Sequence, residues 1–329
     1  MIEPLTIEPL TIDEISAAAR QLAARIVLTP VHQLRGPQID HALGADAELW
    51  LKLELFQRTG TFKARGALLN ALNLTEQQRQ RGVIAVSAGN HAAAVAFAAA
   101  TVGASAKVVM FGAPNPLRVE LCRSFGADIV FADTGHAGFE LATRLAEREG
   151  RALIHPFEGR TTALATATIG RELCEQIPGA QAVIVPIGGG GLCAGIASAV
   201  KLLAPGCEVF GVEPEGADSM HRSFAAGEPR AIERVATIAD SLGAPYALPI
   251  SFELCRRNVD GLVTVSDDEM RAAMRFLLRN AKLAVEPAGA AATAALLGPL
   301  KERLRGKRVA LIVCGSNIDA ASYARLIAE

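Results

Sequence analysis

Lys63 stands between Phe62 and the small residues Ala64, Gly66 and Ala67, within residues 54–67, Glu-Leu-Phe-Gln-Arg-Thr-Gly-Thr-Phe-Lys-Ala-Arg-Gly-Ala. A lysine held in an apolar setting has a depressed pKa, and its free amine can attack an aldehyde. The alternative is a solvated helix lysine, which is what most lysines are. Three loops elsewhere share one small-residue design: Ser87-Ala88-Gly89-Asn90-His91, Gly188-Gly189-Gly190-Gly191 and Cys314-Gly315-Ser316-Asn317. Each follows a strand-like run and precedes a helical one. In a parallel sheet such loops lie at the carboxyl ends of strands, where ligands bind. Free backbone N–H groups at a helix start attract anions. Four consecutive glycines remove every Cβ, so the backbone can close around a phosphate.

The glycine run has a rival reading. Gly189, Gly191 and Ala194 fit the dinucleotide fingerprint with Ala in third place. Glu213 lies about twenty residues on, where a ribose-binding acid belongs. Phosphate binding explains the run better than tight packing does. The run alone does not separate a nicotinamide cofactor from pyridoxal phosphate.

Such loops need a frame. β-rich runs at 83–86, 107–111, 128–132 and 152–155 alternate with helical patterns, including an Ala-rich one and others near 115–125 and 136–149. The pattern resumes at 182–187, 208–212, 261–265 and 308–313. This alternation argues for parallel βαβ units. Ser266 with Glu269 makes a capping box, and Met270, Ala273, Met274, Leu277 and Leu278 follow at helical spacing. The apolar stretch 92–106 is short and broken by Thr101, Gly103 and Ser105, so it reads as a buried helix and not a membrane span. No long polar linker separates the parts. Two α/β lobes with short hinges are expected, with a cofactor in the cleft between them. Ile-Glu-Pro-Leu-Thr occurs at 2–6 and again at 7–11, too short a duplication for a solenoid; it reads as an alternative start or a loose arm.

Composition narrows the classes. The 329 residues are 50% hydrophobic and 20% charged, enough for two compact lobes. A net charge of -1 offers no basic stripe for nucleic acid and no acidic tail. The six cysteines (Cys122, Cys174, Cys193, Cys207, Cys255, Cys314) form no C-x-x-C pair and read as reduced thiols. The start shows no signal-peptide pattern. A cytoplasmic protein with no membrane or nucleic-acid partner is expected.

The Lys63 segment, Ser-Ala-Gly-Asn-His, the glycine tetrad and Cys-Gly-Ser-Asn occur in the order of the fold-type II pyridoxal-phosphate enzymes. From about residue 12 to the end the chain resembles their serine/threonine dehydratase and serine racemase group. Residues 237–242 (Thr-Ile-Ala-Asp-Ser-Leu) and 282–289 (Lys-Leu-Ala-Val-Glu-Pro-Ala-Gly) resemble it too. The resemblance implies a tryptophan synthase β-like fold of two open parallel-sheet α/β lobes. It implies a large pyridoxal-phosphate-binding domain of residues 1–75 and 158–329, a small domain of 76–157, and a homodimer or homotetramer.

The site residues follow from the same resemblance. Lys63 matches the Schiff-base lysine, and Phe62 the residue packed on a face of the pyridine ring. Asn90 matches the side chain that hydrogen-bonds the ring hydroxyl. Gly188, Gly189, Gly190 and Gly191, with the Leu192 amide, match the phosphate cradle. Ser87, Ala88, Gly89, Asn90 and His91 match the loop whose amides take the substrate carboxylate. His91 itself is expected in the core, because only its amide is needed there. Cys314 matches the residue beside the pyridine nitrogen, and Glu286 lies in a motif near the cofactor. Members of the group bind a divalent cation through a Glu, a backbone carbonyl and an Asp. Glu213 and the Ala217 carbonyl fit, but Ser219 stands where the second acid is expected, with Asp218 adjacent. One strong carboxylate is a thin site for a hard cation, which leaves a metal doubtful.

The implied activity is an ammonia-lyase that dehydrates L-threonine or L-serine, or a related 3-hydroxy-amino acid, to a 2-oxo acid and ammonia. Racemisation and β-replacement are rivals within the fold. A nicotinamide-dependent oxidoreductase and a non-catalytic sensor are rivals from other classes. Two departures bear on substrate: Ala92-Ala93-Ala94 where relatives have a Gln and a Gly, and Ala165-Thr166-Ala167-Thr168 in place of a Gly-Gln-Gly-Thr-like stretch. Ala88 stands where racemases carry a serine hydroxyl, so little racemisation is expected. With one helix after the Cys314 turn, no appended effector domain and no isoleucine feedback are expected.

Overall fold

The computed structural model describes residues 7–328. The first copy of the duplicated pentapeptide lies outside them. The second leads into the helix Ile12–Leu22, where Thr11 and Glu14 close a capping box. Arg160 holds this arm by donating to the Glu8 and Pro9 carbonyls at 2.8 and 3.0 Å and to the Glu14 carboxylate at 2.7 Å.

Among the described residues ten strands form two sheets. They are β1 (Val31–Leu34), β2 (Glu48–Lys52), β3 (Val83–Val86), β4 (Ala106–Phe111), β5 (Asp128–Ala132), β6 (Ala152–Leu153), β7 (Ala182–Pro186), β8 (Glu208–Pro214), β9 (Gly261–Val265) and β10 (Arg308–Ile312). The first sheet runs β1-β2-β10-β7-β8-β9 and the second β5-β4-β3-β6. Every pairing is parallel except β1 with β2. The fold is that of two parallel-sheet α/β lobes, as the alternation of strands and helices requires. β1 and β2 are additions to that expectation. Leu49 and Leu51 point to one buried face, but the buried Lys52 breaks the apolar pattern at the strand's end.

Helices bury both faces of each sheet, so the central strands read as continuous apolar runs. β7 is buried throughout, as is β3. The Ala-rich stretch forms the buried helix Asn90–Thr101, and among the described residues no helix is long and apolar enough to cross a membrane. The Ser266–Glu269 capping box starts the helix Asp267–Ala281, which buries Met270, Ala273, Met274 and Leu277.

Two features of the packing set up the site. The helices Arg160–Gln176 and Gly191–Leu203 meet so closely that a Cβ on Gly195 would lie 2.1 Å from Thr166 Oγ1, and one on Gly170 2.7 Å from the Ile196 carbonyl oxygen. Thr166 Oγ1 then donates to the Gly191 carbonyl at 2.7 Å, which fixes the start of the second helix. Behind the helix Lys63–Leu72 lies a buried ionic network. Arg65 pairs with Glu54 at 2.8 Å and with Glu172 at 2.6 Å, and Lys52 pairs with Glu172 at 2.6 Å. Lys52 also donates to the Thr29 carbonyl at 2.8 Å. Charges buried this way are tolerable because each is paired and hydrogen-bonded. The network ties the helix of Lys63 to β2 and to the helix Arg160–Gln176.

Candidate active site

Lys63 is the first residue of its helix, directly after Phe62 at the N-cap. The approach to it is anchored to the end of β10: Thr61 bridges Gly315, and the Phe62 N–H donates to the Cys314 carbonyl at 3.2 Å. Two residues far apart in sequence are thereby set beside one another. The Lys63 Nζ lies 5.0 Å from the Phe62 ring centroid and donates to the Pro156 carbonyl at 2.6 Å. Burial lowers its pKa to about 8, so the free amine is far more populated near neutrality than on an ordinary lysine.

Pockets open on two sides of this lysine. One is lined by the glycine loop, Asn90, Ser241, Glu286 and Cys314. The other is lined by Gly66, His91, His155, Phe157 and Thr166. The glycine loop follows β7 and starts the helix Gly191–Leu203, with Gly190 at φ +94°. A Cβ on Gly189 would lie 2.2 Å from the Phe157 ring, and one on Gly191 2.2 Å from the Phe157 carbonyl oxygen. Only glycines allow that approach, and the loop lines the first pocket at the start of a helix, where backbone N–H groups favour an anion. Leu192 lines both pockets.

Cys314 donates its thiol to the Ala288 carbonyl at 3.3 Å. Burial pushes its pKa far above the ordinary thiol value, with the nearby Glu286 adding to the effect, so the sulfur stays neutral. Asn90 donates to Glu286 Oε1 at 2.7 Å and to Ser241 Oγ at 3.1 Å, and accepts from the Asn317 amide at 2.9 Å. Glu286 is 2% exposed. Burial raises its pKa and the Arg118 guanidinium opposes that rise.

In the loop after β3, the Gly89 N–H donates to Ser87 Oγ at 3.0 Å, and the helix Asn90–Thr101 begins immediately. Ala88 is half-buried beside it. His91 Nε2 pairs with the Ile154 carbonyl at 2.9 Å, which requires a proton on that nitrogen. Burial, reinforced by Lys63, lowers its pKa to about 3, so the ring is neutral.

Glu213, Ala217 and Ser219 stand apart from both pockets. Glu213 accepts from the Met220 and His221 N–H groups at 2.8 and 2.7 Å, capping the helix Ser219–Ala226. Burial raises its pKa to about 8. Its oxygens are thus engaged with backbone donors and not presented to a ribose. Among the described residues no group of three or more His, Cys, Asp and Glu side chains is placed to hold a metal.

The fold also brings in residues that sequence reasoning left without a role. His155 and Phe157 enter the site because the chain after β6 returns over Lys63. His155 Nδ1 accepts from the Glu158 N–H at 2.9 Å, and burial lowers its pKa to about 4. Asn317 and Ser241 sit in stretches already notable in the sequence, but only their contacts with Asn90 show their use. Arg118 had no signal; it is one arginine on a helix of the four-stranded lobe.

The family described as "Pyridoxal-phosphate dependent enzyme" matches residues 22–315. Phenylserine dehydratase of Ralstonia pickettii is 58% identical over 274 residues, spanning 83% of this chain and 84% of that protein. L-threonine ammonia-lyase of Thermotoga maritima is 38% identical over 85% of this chain and 70% of its own length. Among solved structures, maize serine racemase superposes with a TM-score of 0.91 at 34% identity, covering 97% of each chain. A buried amine of depressed pKa, a neutral thiol and a glycine cradle closed by Phe157 all suit pyridoxal phosphate.

Proposed function

The chain belongs to the pyridoxal-phosphate dependent enzyme family and is a lyase, and on that premise we propose that it is an ammonia-lyase for 3-hydroxy-amino acids whose third carbon carries an apolar, preferably aromatic, substituent. When bound, pyridoxal phosphate supplies the electron sink. The chain's own groups do the rest. Gly188 to Gly191 with the Leu192 amide would hold the phosphate, Asn90 would hydrogen-bond the ring hydroxyl, and Cys314 would serve the ring nitrogen as a neutral partner. The amides of Ser87 to His91 hold the substrate carboxylate. Lys63 holds the cofactor and then takes the proton from the α-carbon, a role that a buried amine with a pKa of about 8 suits. On this reading residues 76–157 are a small domain set against a large one of 1–75 and 158–329.

The observation that carries the substrate preference is the wall of the second pocket. His155 and Phe157 both line it and lie edge to face with ring centroids 4.7 Å apart. His91 and His155 are neutral, and apart from Lys63 the rest of the lining carries no charge, with Phe62, Pro156 and Leu192 beside the smaller Gly66, Ala67, Thr162, Thr166 and Gly191. Aromatic walls favour an aryl group by edge and stacking contacts. Lys63 is the one cation in that lining, which disfavours a substrate with a second carboxylate. The 58% identity to a phenylserine dehydratase supports the same preference. Release of 2-oxo acid from 3-phenylserine, L-threonine, L-serine and 3-hydroxyaspartate, compared as kcat/KM, tests it. The aryl substrate should lead and 3-hydroxyaspartate should trail; the reverse order would overturn the preference, and no 2-oxo acid from any of them would overturn the activity.

A further inference from the structure

Arg118 belongs to the helix Pro116–Ser124, which packs in the four-stranded lobe, yet its guanidinium binds the other one. Its Nε donates to the Asn317 carbonyl at 3.1 Å. Its terminal nitrogens donate to Glu286 Oε2 at 3.2 Å, to Ser241 Oγ at 3.3 Å and to the Asp240 carboxylate. The side chain is 4% exposed, Glu286 is 2% exposed, and Asp240 is 63% exposed. On its other side the guanidinium backs the Ser87–His91 loop: a Cβ on Gly89 would stand 3.6 Å from it. One cation is therefore set between a loop suited to a carboxylate and two acidic side chains, one of which lines the cofactor pocket.

We propose that Arg118 is a positioning residue for the substrate carboxylate, neutralising Glu286 and Asp240 behind the Ser87–His91 loop and tying that loop to the opposite lobe. The proposal rests on the reading that this loop takes the carboxylate. Like charges inside a shielded cleft repel at close range, so an anionic substrate entering beside two unbalanced carboxylates is penalised. The planar fork matters as well as the charge. It reaches Asp240, Glu286 and the Asn317 carbonyl at once, and a lysine ammonium cannot span all three.

The test compares two ligands that carry the same amine. Glycine presents a carboxylate and glycinamide a neutral amide, and the visible band of the holoenzyme reports the binding of each without turnover. In Arg118→Met, glycine should weaken by about tenfold or more while glycinamide changes by less than about twofold. Arg118→Lys should recover part of the loss, and so should Asp240→Asn placed in the Arg118→Met chain. Equal weakening of both ligands, or no recovery from removing the Asp240 charge, would overturn the proposal. Should Arg118→Met fail to fold, Asp240→Asn alone should tighten glycine and leave glycinamide unchanged, and an unchanged glycine affinity would overturn it. Wild-type 2-oxo-acid release is measured separately, so a wrong substrate class and a wrong role for Arg118 give different results.

Discussion

The Nζ of Lys63 donates to the carbonyl oxygen of Pro156 across 2.6 Å. One residue opens a helix whose approach is tied to the Cys314–Gly315 turn after β10 of the six-stranded sheet, and the other lies on the return from β6 of the four-stranded sheet. The reactive amine is thereby held where the two lobes meet.

Lys63→Ala is expected to abolish turnover and to remove a borohydride-sensitive visible band while leaving the fold intact. The helix Lys63–Leu72 buries Ala64, Arg65, Ala67, Leu68 and Leu69, none of which the substitution touches. Activity assay, absorbance and circular dichroism check the three parts. Near-wild-type activity would be incompatible with the assigned role.

Cofactor uptake should follow the titration of the same amine. Its pKa is lowered from 10.5 to about 8 by burial. Protonated amine cannot attack the aldehyde, so the rate at which cofactor-free protein regains its visible band should climb about tenfold per pH unit below that pKa and level off above it. The cofactor-free fold should also gain stability as pH rises from about 8 toward 10.5, because there the unfolded chain holds a proton that the folded chain has released. Stopped-flow absorbance and urea titrations across that range are the measurements; a rate midpoint near 10.5 would contradict the burial of the amine.

Gly191→Ala should reduce the cofactor bound per chain and lower stability. The added Cβ meets the Phe157 carbonyl oxygen at 2.2 Å, and a backbone atom cannot swing aside as a long side chain can. Overpacking of this kind costs about 1–3 kcal/mol. Bound-cofactor absorbance and thermal unfolding would show the loss, and unchanged values for both would mean that the loop and Phe157 separate freely.

Arg65→Met should destabilise the fold by about 3–5 kcal/mol, because it leaves the buried Glu54 carboxylate without its ion-pair partner and the half-buried Glu172 without one of its two. Lys52 ion-pairs with Glu172 and not with Glu54. Chemical denaturation measures the change, and a loss under about 1 kcal/mol would place Arg65 among ordinary surface charges.

Ala88→Ser should raise the fraction of racemised amino acid formed beside the 2-oxo acid. Racemisation needs a second proton carrier on the face opposite Lys63, and a methyl group can neither give nor take one. Chiral chromatography alongside the 2-oxo-acid assay is the check. Abundant D-enantiomer from the unmodified chain would show that another group carries the second proton.

By itself, the sequence determined the alternation of strands and helices, the Lys63 segment and the three small-residue loops. These are local properties: β-rich runs, glycines that no other residue can replace, and a lysine among small neighbours. The Ser266–Glu269 cap was legible for the same reason, since its partners are three residues apart. Only the tertiary structure decided how distant parts meet. Phe157 closes the glycine loop, Asn317 and Glu286 hold the Asn90 amide, and Arg118 crosses from one lobe to the other. No periodicity records such pairs, because their spacing in the chain carries no trace of their spacing in the fold. The same holds for Glu213. Its place after a strand made it a candidate for ribose or metal, and only the fold shows that its two oxygens accept from the Met220 and His221 N–H groups of the adjoining helix. Burial is likewise a three-dimensional property, and it is burial that lowers the Lys63 pKa and keeps the Cys314 thiol neutral.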